Sequence, residues 1–204
     1  MARPVAIYPG TFDPVHEGHL ALARLARDLL GATVHLVPDA TPSHRPAPHY
    51  PFPTRLALVE AAVADDPHLV ADPRSALLRR PSRTLDLVRS IGAEHGVRPY
   101  LLLSDEIAAT LPFWEDPVGI ARSARLVIFH RPGEAGIDRR ALARAIGPIA
   151  KRIAYIDADL PDCRATVIRA ALAGGRDPGP CLPASVRRAL DALTAPGAGA
   201  EIEP

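Results

Sequence analysis

Residues 4–20 read P-V-A-I-Y-P-G-T-F-D-P-V-H-E-G-H-L: an apolar run, a short turn and the start of a segment with helical periodicity. The apolar run has the composition of a buried β-strand, and the segment from about Gly18 to Leu30 is predicted to be a helix. Gly10 allows the turn between them to approach a ligand closely, because glycine has no Cβ. Two histidines, His16 and His19, lie three residues apart where the helix begins.

This order of strand and helix recurs along the chain. The predicted strands are residues 4–8, 33–37, 99–103, 125–129 and 152–156, and the predicted helices are residues 18–30, 53–64, 82–95, 138–150, 165–173 and 184–193. Apolar strands that alternate with amphipathic helices predict an α/β fold: a Rossmann-like, doubly wound parallel sheet with helices on both faces. Such sheets bind ligands at the carboxyl ends of their strands. Residues 1–194 are predicted to form one domain, and residues 195–204 a disordered tail.

The net charge and the cysteine content of the chain limit the kinds of partner and metal site that are expected. The 204 residues carry a formal net charge of +1, so neither a nucleic-acid polymer nor a membrane surface is an expected partner. Cys163 and Cys181 cannot make a disulfide framework, and without a C-x-x-C pair no metal site built on sulfur is expected. The N-terminus lacks the apolar core of a signal peptide, and no run approaches the roughly 18 apolar residues of a membrane span. A soluble cytoplasmic protein is predicted, and a homo-oligomer is compatible with the sequence.

The turn after the first predicted strand has the features of a phosphate site. Thr11 and Phe12 would offer backbone N–H groups to phosphate oxygens, and the helix that opens at Gly18 favours an anion at its N-terminus. His16 and His19 point the same way across the first helical turn, where an imidazole can donate a hydrogen bond to phosphate. Two other interpretations exist for the histidine pair, a helix cap and a zinc site, but no third zinc ligand stands out.

The run G-T-F-D-P-V-H-E-G-H, residues 10–19, resembles the signature of the H-x-G-H nucleotidyltransferases. These enzymes transfer AMP or CMP from a nucleoside triphosphate to an acceptor that bears a phosphate. The resemblance implies ATP as a substrate, with both histidines on the triphosphate and the second at the reacting α-phosphate. The ATP-binding residues that it implies are Gly10, Thr11, Phe12, His16, Gly18, His19, Thr166, Ile168 and Arg169. The sequence contains no Walker phosphate-binding loop.

Three later segments are similar to motifs of the bacterial nicotinate-mononucleotide adenylyltransferases. Residues 41–46, T-P-S-H-R-P, are similar to P-x-x-P-H-K, and residues 80–88, R-P-S-R-T-L-D-L-V, resemble P-S-Y-T-I-D-T-L. Residues 101–114 match the spacing of G-x-D-x-x-x-x-L-x-x-W, whose tryptophan suits stacking on a pyridine ring. The acceptor-binding residues that the resemblance implies are His44, Arg45, Thr84, Asp105, Glu106 and Trp114. The alternatives are a solvated loop at 41–46, a helix N-cap at Ser82 and a core position for the tryptophan.

A fourth segment, C-R-A-T-V-I-R at residues 163–169, lies where the family has I-S-S-T-x-I-R. Thr166 and Arg169 would hold the β- and γ-phosphates, the arginine through its planar donor fork. Several binding positions depart from the family. Arg164 and Ala165 replace two serines, Arg83 replaces an aromatic residue, and Ser104-Asp105-Glu106 replaces Gly-x-Asp. Matching by the distance to Trp114 puts Glu106 at the family's aspartate position, although Asp105 lies one residue away.

The resemblance implies adenylyl transfer from ATP to nicotinate mononucleotide, which gives nicotinate adenine dinucleotide and pyrophosphate. The implied catalytic residues are His16, His19 and Arg169, and the implied Mg²⁺ is held mainly by phosphate oxygens, without a protein metal site. The start Tyr8-Pro9-Gly10 is typical of pantetheine-phosphate adenylyltransferases, so phosphopantetheine is an alternative acceptor, as is nicotinamide mononucleotide. The altered motifs leave a further alternative, a nucleotide-binding module without catalysis.

Overall fold

The computed structural model describes residues 3–41, 47–78, 84–130 and 136–195. Within them, parallel strands form one sheet in the order β3-β2-β1-β4-β5-β6. The strands are β1 (Val5–Gly10), β2 (Thr33–Pro38), β3 (Leu69–Ala71), β4 (Tyr100–Ser104), β5 (Arg125–His130) and β6 (Ala154–Asp157). The strand order reverses between β1 and β4, so the ligand-binding crevice of this sheet is expected above these two strands.

Helices cover both faces of the sheet. They are α1 (Glu17–Leu30), α2 (Phe52–Val63), α3 (Thr84–His95), α4 (Asp105–Ala108), α5 (Pro117–Ser123), α6 (Arg139–Ile146), α7 (Ala165–Ala173) and α8 (Ala184–Thr194). Leu58, Ile168 and Val186 bring α2, α7 and α8 into one core together with α1. Ile91 and Ile120 belong to a second core under α3, α5 and α6. The predicted doubly wound sheet is therefore confirmed.

The pairing of β1 with β2 and β4 sets the position of the site. Gly10, the last residue of β1, is in register with Pro38 of β2, and Ile7 is in register with Leu101 of β4. Parallel strands all end at the same edge, so the segments that follow these three strands lie side by side. The predicted site residues after β1 and after β4 are thereby placed at one edge of the sheet.

Some elements differ from their prediction. The sequence did not reveal β3, which has only 3 residues, or the short helices α4 and α5. The predicted helix over 138–150 was too long, because Gly147 has a φ of +66° and a 3₁₀ turn over Gly147–Arg152 follows. Of the predicted helix over 82–95, the structure describes Thr84–His95, and residues 82 and 83 lie outside the described residues. The predicted tail also lies outside them beyond Ala195.

In the described part of the chain, no helix is both long enough and apolar enough to cross a membrane. The longest of the helices there, α1, has 14 residues and carries Glu17, Arg24 and Arg27. Its buried side is lined by small and aliphatic residues, among them Leu20 and Ala23. This helix is an amphipathic cover of the sheet.

Candidate functional site

The turn after β1 is built around the ring of Phe12. This residue has a φ of +49°, in the left-handed region, and its side chain is 1% exposed. The ring packs edge-on against Tyr8, with ring centroids 5.5 Å apart, and covers Gly10. A Cβ on Gly10 would lie 2.9 Å from the Phe12 ring, so glycine is required here by an aromatic neighbour within the chain. The sequence had suggested close approach of a ligand instead.

The side chain of Phe12 belongs to the core, so only its backbone is available to the predicted phosphate turn. Among the described residues, no backbone carbonyl outside the helix and strand ladders accepts a hydrogen bond from the backbone N–H of Thr11 or of Phe12. The carbonyl of Thr11, in contrast, accepts a hydrogen bond from Arg55. The two N–H groups remain candidates for hydrogen bonds to phosphate oxygens, as the sequence predicts.

The two histidines open α1. His16 is the N-cap residue, with an extended backbone, and its ring stacks on the ring of His19 with centroids 3.6 Å apart. The backbone N–H of His16 donates to Nδ1 of His19 at 3.3 Å. Since Nδ1 is the acceptor, the neutral His19 ring carries its proton on Nε2 and can donate a hydrogen bond from that atom. The helix-cap interpretation of His16 is thus confirmed by the geometry, and it is compatible with a role in phosphate binding.

Gly18 lies where α1 meets the segment that leads into α7. A Cβ at this position would be 3.2 Å from the ring of His16 and 3.2 Å from the carbonyl oxygen of Pro161. Both distances are tighter than ordinary van der Waals contact. The small residue therefore permits the first turn of α1 and the segment before α7 to lie against each other.

Arg169, on α7, reaches the β1 turn from 156 residues away in the sequence. Its Nη1 donates to the backbone oxygen of Asp13 at 2.6 Å and lies 3.4 Å from a carboxylate oxygen of the same residue. The Asp13 carboxylate also accepts the backbone N–H groups of His49 and Tyr50, at 2.8 and 2.9 Å. The motifs at residues 10–19 and 163–169 thus come together at one edge of the sheet.

The two other residues predicted on α7, Thr166 and Ile168, differ in their exposure. Thr166 lies exposed in the first turn of the helix, where backbone N–H groups are not used within the helix. The side chain of Ile168 is 1% exposed and packs into the core, so it supports the helix and does not face the crevice. Arg164, which replaces a family serine, is exposed and forms an ion pair with Asp162 at 3.1 Å.

Arg55 is a buried residue of this region that the sequence analysis missed. Its guanidinium is 1% exposed and donates to the carbonyls of Tyr50, Thr11 and Asp39 at 3.0, 2.7 and 2.7 Å. Burial lowers the pKa of this guanidinium, whereas the charges of Asp13 and Asp39 act in the opposite direction. Arg55 thereby joins the segments after β1 and β2. The available signal was an arginine within the largely apolar run F-P-T-R-L-A-L-V of α2.

A disulfide bond joins Cys163 and Cys181, two cysteines from which no disulfide framework was expected. Cys163 is buried just before α7, and Cys181 lies in the turn before α8. The bond therefore links the segment before α7, the helix that carries Arg169, to the segment before α8. The chain separation of 18 residues and the lack of a recognisable spacing kept this pairing from being predicted.

The predicted acceptor-binding residues come from three elements. Thr84 is the first residue of α3 and is partly buried. Asp105 is the first residue of α4 and is buried, whereas Glu106 is exposed. The motif spacing selects Glu106, but the carboxylate that the structure buries is that of Asp105. Trp114 is partly buried against the second core, and its Nε1 donates to Oγ1 of Thr110 at 2.8 Å. His44 and Arg45 lie outside the described residues.

Asp105 has a partner that the sequence analysis did not identify. Its Oδ2 is hydrogen-bonded to Nδ1 of His130, the last residue of β5. Burial raises the pKa of Tyr155, and the charge of Asp105 contributes in the same direction, although Arg139 opposes it. Asp105 is therefore a buried carboxylate among second-core residues, at the same edge of the sheet as the histidine pair.

No group of three or more His, Cys, Asp or Glu side chains in residues 3–41, 47–78, 84–130 and 136–195 lies where it could hold a metal ion. A cavity of about 220 Å³ lies at the opposite, amino edge of the sheet, between Tyr100, Arg125 and Ala154, the first residues of β4, β5 and β6. None of the predicted site residues lines it. Because doubly wound sheets bind their ligands at the carboxyl edge, we place the functional site at the histidine pair.

Residues 7–171 match the model of the cytidylyltransferase-like family. The chain belongs to this family. A probable nicotinate-nucleotide adenylyltransferase of Aeromonas salmonicida (strain A449) is 34% identical over 200 residues, which cover 91% of this chain and 94% of that protein. The resemblance to nicotinate-mononucleotide adenylyltransferases is thereby confirmed as a family relationship.

A second relative shares a shorter region with this cytidylyltransferase-like chain. It is a probable nicotinate-nucleotide adenylyltransferase of Xylella fastidiosa (strain M12), 40% identical over 132 residues. The match covers 62% of this chain, and it spans 60% of the length of the Xylella protein.

Solved structures of low sequence identity share the fold. The Plasmodium falciparum nicotinic acid mononucleotide adenylyltransferase complexed with APC superposes with a TM-score of 0.70 at 13% identity. The same enzyme complexed with NaAD gives a TM-score of 0.70 at 14% identity. Both matches cover 95% of this chain and 97% of the other. At these identities the likeness concerns the architecture of the sheet and its helices.

Proposed function

We propose that this protein transfers the adenylyl group of ATP to nicotinate mononucleotide and releases pyrophosphate. The observation that carries the proposal is that Arg169 of α7 is bonded to Asp13, in the same segment after β1 that carries the stacked His16–His19 pair. The names of the relatives supply the acceptor, because the Aeromonas and Xylella proteins are named for nicotinate-nucleotide adenylyl transfer. The bound NaAD in the Plasmodium enzyme is the dinucleotide that this reaction would form.

The proposed chemistry is a direct displacement at the α-phosphorus of ATP. An oxygen of the acceptor phosphate forms a bond to that phosphorus, the bond to the bridging oxygen of the β-phosphate breaks, and its electron pair leaves with pyrophosphate. A nucleotide monophosphate is already a nucleophile at neutral pH, so no general base is needed. Catalysis then consists of positioning and of stabilising the charge that develops.

His19 is the residue to which we assign the reacting phosphate. Its Nδ1 accepts the backbone N–H of His16, so Nε2 is the atom that donates to an oxygen of the α-phosphate. The stacking on His16 fixes the plane of the His19 ring before substrate binds. A donor fixed in advance needs little rearrangement in the transition state, which is the condition for effective electrostatic stabilisation.

The leaving pyrophosphate is assigned to the start of α7. Arg169 supplies a guanidinium that Asp13 holds at the β1 turn, and Thr166 supplies a hydroxyl beside the first N–H groups of the helix. Both carboxylate oxygens of Asp13 accept backbone N–H groups, so this carboxylate is engaged within the protein. We therefore treat Mg²⁺ as part of the substrate, carried into the site by the phosphate oxygens of ATP.

The proposal is tested by pyrophosphate release from Mg-ATP with three acceptors. We expect turnover with nicotinate mononucleotide, and less or none with nicotinamide mononucleotide and phosphopantetheine. Turnover with phosphopantetheine alone would replace the proposed acceptor. Binding of ATP in calorimetry without turnover on any acceptor would identify a nucleotide-binding module instead.

A further inference from the structure

Asp105 and His130 lie next to each other at the ends of the neighbouring strands β4 and β5. Ser104, the last residue of β4, is in register with Phe129 of β5, so the next residue of each strand lies at the carboxyl edge of the sheet. The Asp105 side chain is 8% exposed and that of His130 is 28% exposed. Because an ionised carboxylate only accepts hydrogen bonds, Nδ1 of His130 donates to it, and Nε2 is the second ring nitrogen of the same imidazole.

The strand pattern places this pair on one particular face. Phe129 is buried in the core shared with α1 and α7, and Ile128 is buried in the core under α3, α5 and α6. Side chains alternate along a strand, so His130 lies on the same face as Ile128. Trp114 packs against that second core. The pair therefore lies on the side of the sheet that carries Thr84 and Trp114, away from α7.

On the other flank, the described parts of the segments after β1 and β2 enclose a buried side chain. Arg55 fills the region between them and is bonded to the carbonyls of both segments. Adjacent strands lie about 4.8 Å apart, so the end of β5 lies roughly 10 Å from the end of β1. That distance suits a mononucleotide that presents its phosphate at the switch point and extends over β4 toward β5.

Charge gives the pair a function. The acceptor is an anion, and a buried carboxylate with no cationic partner would oppose its binding. With Nδ1 bonded to Asp105, the ring can donate from Nε2 to an oxyanion of the acceptor only as the imidazolium, a form that an anion on each side of the ring favours. We infer that His130 is an acceptor-binding residue and that Asp105 is the positioning residue that orients its ring. This inference rests on the proposed function.

The test separates the Michaelis constants of the two substrates. We expect His130→Ala to raise KM for nicotinate mononucleotide about tenfold or more, while KM for ATP stays within about twofold, because one lost charged hydrogen bond corresponds to about 1.5–3 kcal/mol. Asp105→Asn should raise KM for nicotinate mononucleotide by a smaller factor. The double variant should bind the acceptor better than His130→Ala does, because the uncompensated carboxylate is gone. His68→Ala, at the amino edge of the sheet, is the matched control.

A purely structural role makes a different prediction. The amide of His130→Asn can keep the hydrogen bond to Asp105 but has nothing in place of Nε2. We expect this variant to recover the melting temperature of the wild type and to retain the raised acceptor KM. Recovery of both, or an equal rise of KM for ATP and acceptor in His130→Ala, would overturn the inference, as would an unchanged acceptor KM in a folded His130→Ala.

The acceptor offers two oxyanions, a ring carboxylate and a phosphate, and a second acceptor distinguishes them. If His130 contacts the carboxylate, His130→Ala lowers the preference for nicotinate over nicotinamide mononucleotide. If it contacts the phosphate, kcat/KM falls equally for both mononucleotides, and each result supports the inference.

If the wild type turns over no acceptor, the proposed function fails, and calorimetry decides the inference. The binding of nicotinate mononucleotide to the wild type and to His130→Ala is then compared. Equal affinities, or no binding to either protein, overturn the inference.

Discussion

The proposed triphosphate side and the proposed acceptor side of the site are built in different ways. The triphosphate side is centred on residues 10–19, a continuous segment in which Phe12 covers Gly10 and His16 orients His19. The acceptor side combines residues from α3, from α4 and from the turn at Trp114. A continuous segment fixes its own geometry through short-range contacts, whereas the acceptor side depends on how separate elements are held together.

The two sides also differ in the interactions that hold them. Arg55 and Asp13 tie the triphosphate side together mainly through backbone groups. Below the acceptor side, a buried ionic network joins His35, Asp72 and Arg74, and Arg74 continues to Ser90 on α3. The first side is therefore expected to be sensitive to loss of donors, and the second to pH.

The largest effect is expected for His19→Ala. Removing one preorganised donor to a developing charge typically costs about 2.7–4 kcal/mol, so kcat should fall by about 10²–10³. His19 is only partly buried in the first turn of α1, and we expect the variant to keep its fold by circular dichroism. Pyrophosphate release under saturating substrates measures the loss. Turnover close to that of the wild type would remove His19 from the mechanism.

Arg55→Met tests how the triphosphate side is held. The variant leaves the carbonyls of Thr11, Asp39 and Tyr50 without their donor, and we expect the free energy of unfolding to fall by about 3 kcal/mol. Urea denaturation measures the change. Arg187→Met is the control, since its ion pair with Asp191 is exposed and should contribute at most about 1 kcal/mol. Equal shifts in both variants would contradict the assigned role of Arg55.

Asp72→Asn tests the ionic network. Burial would raise the pKa of Asp72, but the hydrogen bonds from His35 and Arg74 outweigh it and hold this pKa below its ordinary value. A carboxyl whose pKa is lowered by folding stabilises the protein above its unfolded-state pKa of about 3.9, and the contribution is lost as pH falls through the folded value. We expect Asp72→Asn to lose about 2 kcal/mol at neutral pH.

The same variant should show a flatter pH dependence of stability below about pH 5 than the wild type, because the titrating group is absent. Thermal melts at a series of pH values measure this, with Asp191→Asn, an exposed carboxylate, as the control. Because the network supports α3, the KM of the acceptor should rise while the KM of ATP changes little. A parallel rise of both constants would show that the two sides are not held independently.

The smallest effect is expected for Trp114→Ala. Loss of an aromatic stacking partner costs about 0.5–1.5 kcal/mol, so KM for nicotinate mononucleotide should rise up to about tenfold while KM for ATP stays unchanged. The neighbouring Phe113 is 87% exposed, and Phe113→Ala provides a matched aromatic control. A similar rise in both variants would place the acceptor elsewhere on this surface.

The sequence predicted the sheet well where periodicity was long and regular. It failed at β3, whose 3 residues are too few for a periodic signal, and at the end of α6, where one glycine outweighed the apolar pattern. At the site, the motif of residues 10–19 and the start of α7 were predicted as one constellation, and Asp13 and Arg169 confirm that they meet. Their roles in binding and catalysis stay predictions.

Asp105 and Arg55 show why other parts could not be predicted. The spacing to Trp114 selected Glu106, but α4 begins at Asp105 and turns that carboxylate toward His130, 25 residues later. Arg55 meets carbonyls that lie up to 44 residues away. Contacts of this kind depend on which strands are neighbours, and residue spacing along the chain does not contain that information.

By itself, the sequence determined the alternation of strands and helices, the position of the turn between the first strand and the first helix, and the family that the chain resembles. These follow from interactions between residues close in the chain, which local patterns record. Only the tertiary structure decided that Gly10 accommodates a ring of the protein, that Cys163 pairs with Cys181, and that Asp105 pairs with His130. The physical reason is that burial and strand order set these contacts, and both exist only once the whole sheet has formed.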